Sequence, residues 1–147
     1  MEKDAKEKAD KKLKEGWIKA IVTVEVMAIS EDTAKTSLIE HVSQMKREDG
    51  LFVASEKYLD IRKIEKPFKG IEAAYSYIVE LETLVRNYER LVFIAMNYGP
   101  SGIEIIQPNK ISLELWEAQG IVNSVSEMMH KLLAVKGGGF LIKSKQQ

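Results

Sequence analysis

The stretch Trp17-Ile-Lys-Ala-Ile-Val-Thr-Val-Glu-Val-Met-Ala-Ile29 alternates with a period of two. Ile18, Ala20, Val22, Val24 and Val26 fall on one side without a polar interruption. Trp17, Lys19, Ile21, Thr23, Glu25 and Met27 share the other. Successive side chains of a strand point to opposite faces, so this spacing predicts a central strand with a buried face and a mixed reverse face. The remaining elements can be read outward from it.

Downstream, Ser30 is suited to cap a helix whose first turn carries Glu31 and Asp32 toward the positive end of the dipole. Ala34, Leu38, Val42 and Met45 recur at helical spacing before a stop at Gly50. Leu51 to about Ile64 predicts a second, more polar strand at an edge, where Lys57, Asp60, Arg62 and Lys63 oppose edge-to-edge association. Pro67 and Gly70 lead into a third strand, around Ala74 to Leu84. It would carry Tyr75, Tyr77, Val79 and Leu81 on one face and Ser76, Ile78, Glu80 and Glu82 on the other. A helix is expected from about Leu84 to Asn97, with Leu84, Tyr88, Leu91, Val92 and Ala95 toward the sheet. Tyr98-Gly99-Pro100 would end it, glycine as the left-handed cap and proline as the breaker. Gly102 to Gln107 reads as a short fourth strand. Ser112 looks like the N-cap of a last helix, about Leu113 to Val135, with Leu115, Ala118, Val122, Val125, Met129 and Leu132 in an apolar stripe. Gly137-Gly138-Gly139 would stop it.

Upstream, Glu2–Lys6, Asp4–Lys8, Glu7–Lys11 and Asp10–Lys14 are acid-before-base pairs at i,i+4, which support a helix over 2–15. Ala5, Ala9 and Leu13 add only a thin apolar stripe, and Gly16 can end the turn. The expected organisation is a charged amino-terminal helix or tail over 1–16, one domain over 17–135 and a flexible basic tail over 136–147. Strand, helix, strand followed by strand, helix, strand is the order of a split βαβ sheet. The expected fold class is therefore α+β, a ferredoxin-like βαββαβ sheet with helices on one face and a long carboxy-terminal helix.

Composition narrows the function classes. Lysine and arginine total 22, as do aspartate and glutamate, and this balance argues against the basic stripe that non-specific nucleic-acid binding needs. The absence of cysteine removes disulfides, iron–sulfur clusters, thiolate zinc and cysteine nucleophiles. It fits a reducing compartment, and no run approaches the roughly 18 apolar residues of a membrane span. The expectation is a cytoplasmic protein.

No catalytic motif stands out. His41 and His130 each lack a histidine or carboxylate at i+3 or i+4, as a helical metal site would have, and both read as structural. Lys136-Gly-Gly-Gly-Phe140 follows a helix, and Gly99-Pro-Ser-Gly102 runs from helix to strand. Phosphate cradles precede a helix, so both segments have the wrong order. No nucleophile, acid–base pair or metal set can be assembled with a physical reason behind the choice. The expectation is a non-enzymatic, oligomeric interaction or regulatory module without a cofactor, its partner a second copy, another protein or a small ligand. The candidate contact is the reverse sheet face, where Ile21, Glu25, Ile78 and Glu80 would be joined by Glu104 and Ile106. A sharper reading of those carboxylates is an oxygen site for Mg²⁺ or Ca²⁺. A blander one is a solvated face partly covered by a terminal helix.

RNA binding is the alternative, because RNA-recognition modules share this topology and stack bases on strand aromatics. Tyr75 and Tyr77 are the residues it would use. Strand one offers no aromatic in the matching place, Glu80 and Glu82 would repel phosphate, and both tyrosines share a face with Val79 and Leu81.

The run Val92-Phe-Ile-Ala-Met-Asn-Tyr-Gly-Pro-Ser-Gly-Ile-Glu-Ile-Ile-Gln-Pro108 resembles one in small uncharacterised archaeal α/β proteins of ferredoxin-like topology. There a helix ends in a tyrosine-containing turn before Ser-x-x-Glu-Ile and a proline. The resemblance covers roughly residues 74–108 and brings no catalytic residue with it. In topology alone the chain also resembles ACT-type regulatory domains, which bind small ligands beside the first strand–helix loop across a dimer. The equivalent loop here, Ala28-Ile-Ser-Glu-Asp-Thr33, lacks the glycine that those domains use.

Overall fold

Residues 2–137 are described by the computed structural model of the chain. It divides into two compact units, one running through Ile111 and one beginning at Ser112, and each is described by itself. Among the described residues it is an α+β structure with a five-stranded antiparallel open sheet and four helices. In chain order the elements are α1 (Glu2–Lys14), β1 (Ile18–Ala28), α2 (Glu31–Lys46), β2 (Leu51–Tyr58), β3 (Arg62–Phe68), β4 (Ile71–Val85), α3 (Tyr88–Tyr98), β5 (Gly102–Gln107) and α4 (Leu115–Gly137).

The first unit is organised on β1 as its alternation requires. β1 pairs with β4 along its whole length, from Ile18 opposite Val85 to Ala28 opposite Tyr75, and with β5 on its other side. The sheet order is β2-β4-β1-β5, and β3 continues along the β4 edge that β2 leaves. Each helical crossover therefore skips a strand: β4 lies between β1 and β2, and β1 lies between β4 and β5. The core forms where α2 and α3 cover one sheet face. Leu38, Val42 and Met45 of α2 and Leu91 and Ile94 of α3 meet Ala20, Val22, Val24, Val79, Leu81 and Val85.

Local chemistry sets the helix ends. Ser30 is the N-cap of α2, and its hydroxyl oxygen accepts from the Thr33 N–H at 3.2 Å. Gly99 ends α3 at φ 56°, ψ 46°, a left-handed conformation that costs an L side chain more than glycine.

Four expectations are corrected. The single strand over 51–64 is two strands, β2 and β3, separated at Leu59–Ile61. Opposite β4, one extra residue enters at Ala54, another between Tyr58 and Arg62, and a third between Glu65 and Phe68, where Lys66 has φ 46°. These one-residue insertions bend the edge and spoil it as a template for another strand. Leu84 and Val85 finish β4 rather than opening the helix: both pair with β1, and their side chains, on opposite faces of the sheet, are fully buried. α3 begins at Tyr88 with Asn87 as N-cap, its side chain accepting from the Arg90 N–H at 2.9 Å. Leu91 and Ile94 are the buried residues of α3, and Ala95 is exposed. Ser112 does not cap the last helix: Glu117 Oε1 accepts from the Glu114 N–H at 3.1 Å, and the Glu114 carbonyl starts the ladder by accepting from Ala118 N–H.

The second unit holds α4, 23 residues long, which carries most of its large apolar side chains exposed, from Val135 at 86% to Val125 at 41%, while Ile121 and Met128 are partly buried. Among the described residues no helix is long and apolar enough to cross a membrane. The tail expected over 136–147 lies outside the described residues from 138 onward.

Candidate interaction surface

The face of the sheet away from α2 and α3 is fixed by register. Opposed residues of antiparallel strands project to the same side, so Ile21 lies with Glu82, Thr23 with Glu80, Glu25 with Ile78, and Met27 with Ser76. On the neighbouring strands Glu104 is opposite Ile21 and Lys57 is opposite Glu80. Ile106 is different. It is the extra residue of a bulge between the Ala20–Ile105 and Lys19–Gln107 pairs, so alternation does not assign it to this face, and it is 39% exposed.

This face has two halves. One is covered by α1, whose Ala9 and Leu13 line a groove with Lys19, Ala54, Ser55 and Leu84. Leu84 is fully buried and Ala9 is 7% exposed. The Lys12 ammonium lies 4.0 Å from the Trp17 ring centroid and 5.6 Å from that of Phe52, adding cation–π attraction where the helix meets the sheet. Lys19 bridges to Glu82 at 3.2 Å, and Ser55 donates to the same carboxylate at 3.2 Å. The charged amino-terminal segment is thus a sheet-covering helix.

The other half lies beyond α1. Ile21, Ile78 and Glu80 are partly exposed, and Glu25, Met27 and Glu104 are exposed, Met27 at 43%. Glu25 accepts a hydrogen bond from the Ser76 hydroxyl, which is buried. Apolar and acidic side chains therefore interleave on a piece of sheet that α1 leaves open. Among the described residues no group of three or more histidines, aspartates and glutamates is placed to hold a metal ion.

Tyr75 and Tyr77 lie on the opposite face, that of α2 and α3. Tyr77 packs on the core and stacks on Tyr58, their centroids 5.5 Å apart. Burial, and then the hydrogen bond that Tyr58 gives Glu56 at 2.9 Å, pushes the Tyr58 phenol well above its ordinary range.

His41 is tied into the fold. Its Nε2 lies 2.9 Å from the Tyr98 carbonyl oxygen, and the two rings meet edge to face at 5.6 Å. The Tyr98 hydroxyl donates to Glu48 Oε1 at 2.9 Å, and burial, followed by this bond, raises its pKa. Arg90 approaches the same glutamate at 3.8 Å, while Arg86 holds Asp49 at 2.7 Å and lowers the aspartate's pKa. This polar belt joins the end of α2 to α3, and spacing along the sequence gave no sign of it. His130 stands exposed on α4.

No curated protein and no solved structure matches the chain. A family description does, over residues 19–146, a span from the second residue of β1 through α4: the chain belongs to the MJ0538 family.

Proposed function

We propose that the chain is a non-enzymatic, cytoplasmic module of ferredoxin-like topology that works by self-association through the uncovered half of its sheet. The order β2-β4-β1-β5, with both helical crossovers skipping one strand, supports the topological part of this reading. One observation carries the functional part. Ile21, Met27 and Ile78 share a sheet face that α1 leaves open, and they alternate with Glu25 and Glu80. A second copy related by a twofold axis would bury these apolar groups against their own kind.

Magnitudes set how tight that contact is. Burying the remaining surface of a partly exposed isoleucine or methionine gains about 1 kcal/mol. Six such side chains across a dimer gain about 6 kcal/mol, against an association cost of roughly 4 kcal/mol or more. The sheet face alone thus makes a weak dimer, and a tight one requires a second contact. Light scattering over a concentration series tests the reading. The expected mass is twice the chain's 16.7 kDa, and a monomer at every concentration refutes it.

A further inference from the structure

We infer that the β3–β4 hairpin is an arm that binds single-stranded nucleic acid, Phe68 stacking on a base while Arg62, Lys66 and Lys69 hold phosphates. The site is separate from the sheet half that α1 leaves open and does not depend on self-association. Over the whole chain 22 cations balance 22 anions, but the balance is not kept locally. Between Arg62 and Glu72 four cations, Arg62, Lys63, Lys66 and Lys69, stand against two anions, Glu65 and Glu72. Glu65 pairs with Lys63 at 3.6 Å, and among the described residues Arg62, Lys66 and Lys69 enter no ion pair. All three are exposed. Cations with no counter-charge of their own suit a polyanion, whose counterions they displace.

Register sets an aromatic ring among these charges. Among the described residues β3 pairs with β4 and with no other strand, from Arg62 opposite Ser76 to Phe68 opposite Ile71. β1 ends opposite Tyr75, and Ile71 to Ala74 lie past that end with β3 as their strand partner. Phe68 and Ile71, being opposed, project to the same side of this ribbon, and Phe68 is 62% exposed. Lys66, Pro67, Phe68, Lys69, Ile71 and Glu72 line a shallow hollow of about 490 Å³. An open ring flanked by ammonium groups matches both parts of a single strand, the flat face of a base and the charge of its backbone. A duplex keeps its bases stacked on one another and leaves the ring nothing to meet. The cations at 62, 63, 66 and 69 also run the length of β3, about 23 Å of strand. Such a line of charge fits a chain laid along the ribbon. A lipid surface touched by the tip would meet Lys69 in the turn and leave Arg62 and Lys63 at the far end.

Fluorescence anisotropy of a labelled oligouridine, titrated with the full chain, tests this. The wild type is expected to bind with a Kd of about 10 µM at low salt. The logarithm of its affinity should fall against that of salt with a slope of about −2, for three phosphates neutralised. Phe68→Ala should weaken binding roughly tenfold and leave the slope unchanged, and Phe68→Trp should bind as the wild type does. Lys66→Glu combined with Lys69→Glu should abolish binding. Circular dichroism checks that each variant keeps the fold. No anisotropy change up to about 100 µM, the weak end of non-specific affinity, overturns the inference. Binding that survives the double charge reversal overturns it as well, because the contact would lie elsewhere. Indifference to Phe68→Ala, or equal affinity for a duplex, removes stacking and overturns it too. Retention on phosphatidylserine vesicles without oligouridine binding assigns the arm to a lipid surface instead.

Discussion

Lys12 on α1 lies over the ring of Trp17, the last residue before β1, with the ammonium 4.0 Å from the ring centroid. The contact folds the amino-terminal helix back onto the sheet instead of letting it run on into solvent. Ala9 is the buried residue of that helix, packed where Leu84 and Ala54 line the sheet. A glutamate at position 9 would have to force its bulk and its charge between helix and sheet, where Ala9 is 7% exposed. Ala9→Glu is expected to release α1, and hydrogen exchange reads the result. Amides of α1 should lose protection while those of β1 and β4 keep theirs, because undocking a peripheral helix is a local opening. Loss of protection in both would mean that α1 is integral to the core.

The caps of α3 give a second expectation. Asn87 satisfies the Arg90 N–H, and Gly99 takes the left-handed turn. Asn87→Ala should cost about 1 kcal/mol, from the lost cap bond. Gly99→Ala should cost roughly 1–2 kcal/mol, from strain at positive φ. Urea titration with an unchanged slope checks both.

How far the fold is legible in the sequence depends on whether local pattern or partner geometry decides an element. β1 and the buried set Ala34, Leu38, Val42 and Met45 of α2 follow from periodicity alone. The split of the edge into β2 and β3 does not, because the extra residues matter only relative to β4. Leu84, Tyr88 and Leu91 fit a helical stripe, yet pairing with Lys19 and Phe52 keeps Leu84 in the sheet. Ser112 offers cap chemistry, yet Glu117 reaching back to the Glu114 N–H selects a later start. The members of the reverse face could be read from alternation, since Glu25 and Ile78 are indeed opposed. The bulge that takes Ile106 out of step could not, nor could the docking of α1, which has one small buried side chain to announce it.

Alkaline pH should weaken the fold. Burial, and then hydrogen bonds to Glu56 and Glu48, raises the pKa of Tyr58 and Tyr98 above the ordinary tyrosine value of about 10. Below that value both tyrosines are protonated in the folded and unfolded chain, and their stabilisation is fully present. Above it the unfolded chain loses protons that the folded chain retains, so stability falls as pH rises. Tyr58→Phe and Tyr98→Phe should each make the decline shallower in denaturation curves taken above pH 10. A slope equal to the wild type's would show that the tyrosine concerned titrates alike in both states.

Sedimentation of Ile78→Lys tests the central claim most directly. Ile78 lies opposite Glu25 on the half of the sheet that α1 leaves open, away from the core and partly exposed, so a lysine there can reach water without disturbing the fold. In a dimer it would face its own copy and replace an apolar contact with two like charges. At the lowest concentration where the wild type is wholly dimeric, the account predicts a monomer with an unchanged circular dichroism spectrum. A variant that sediments with the wild-type mass would contradict it, because that face would then not be the contact.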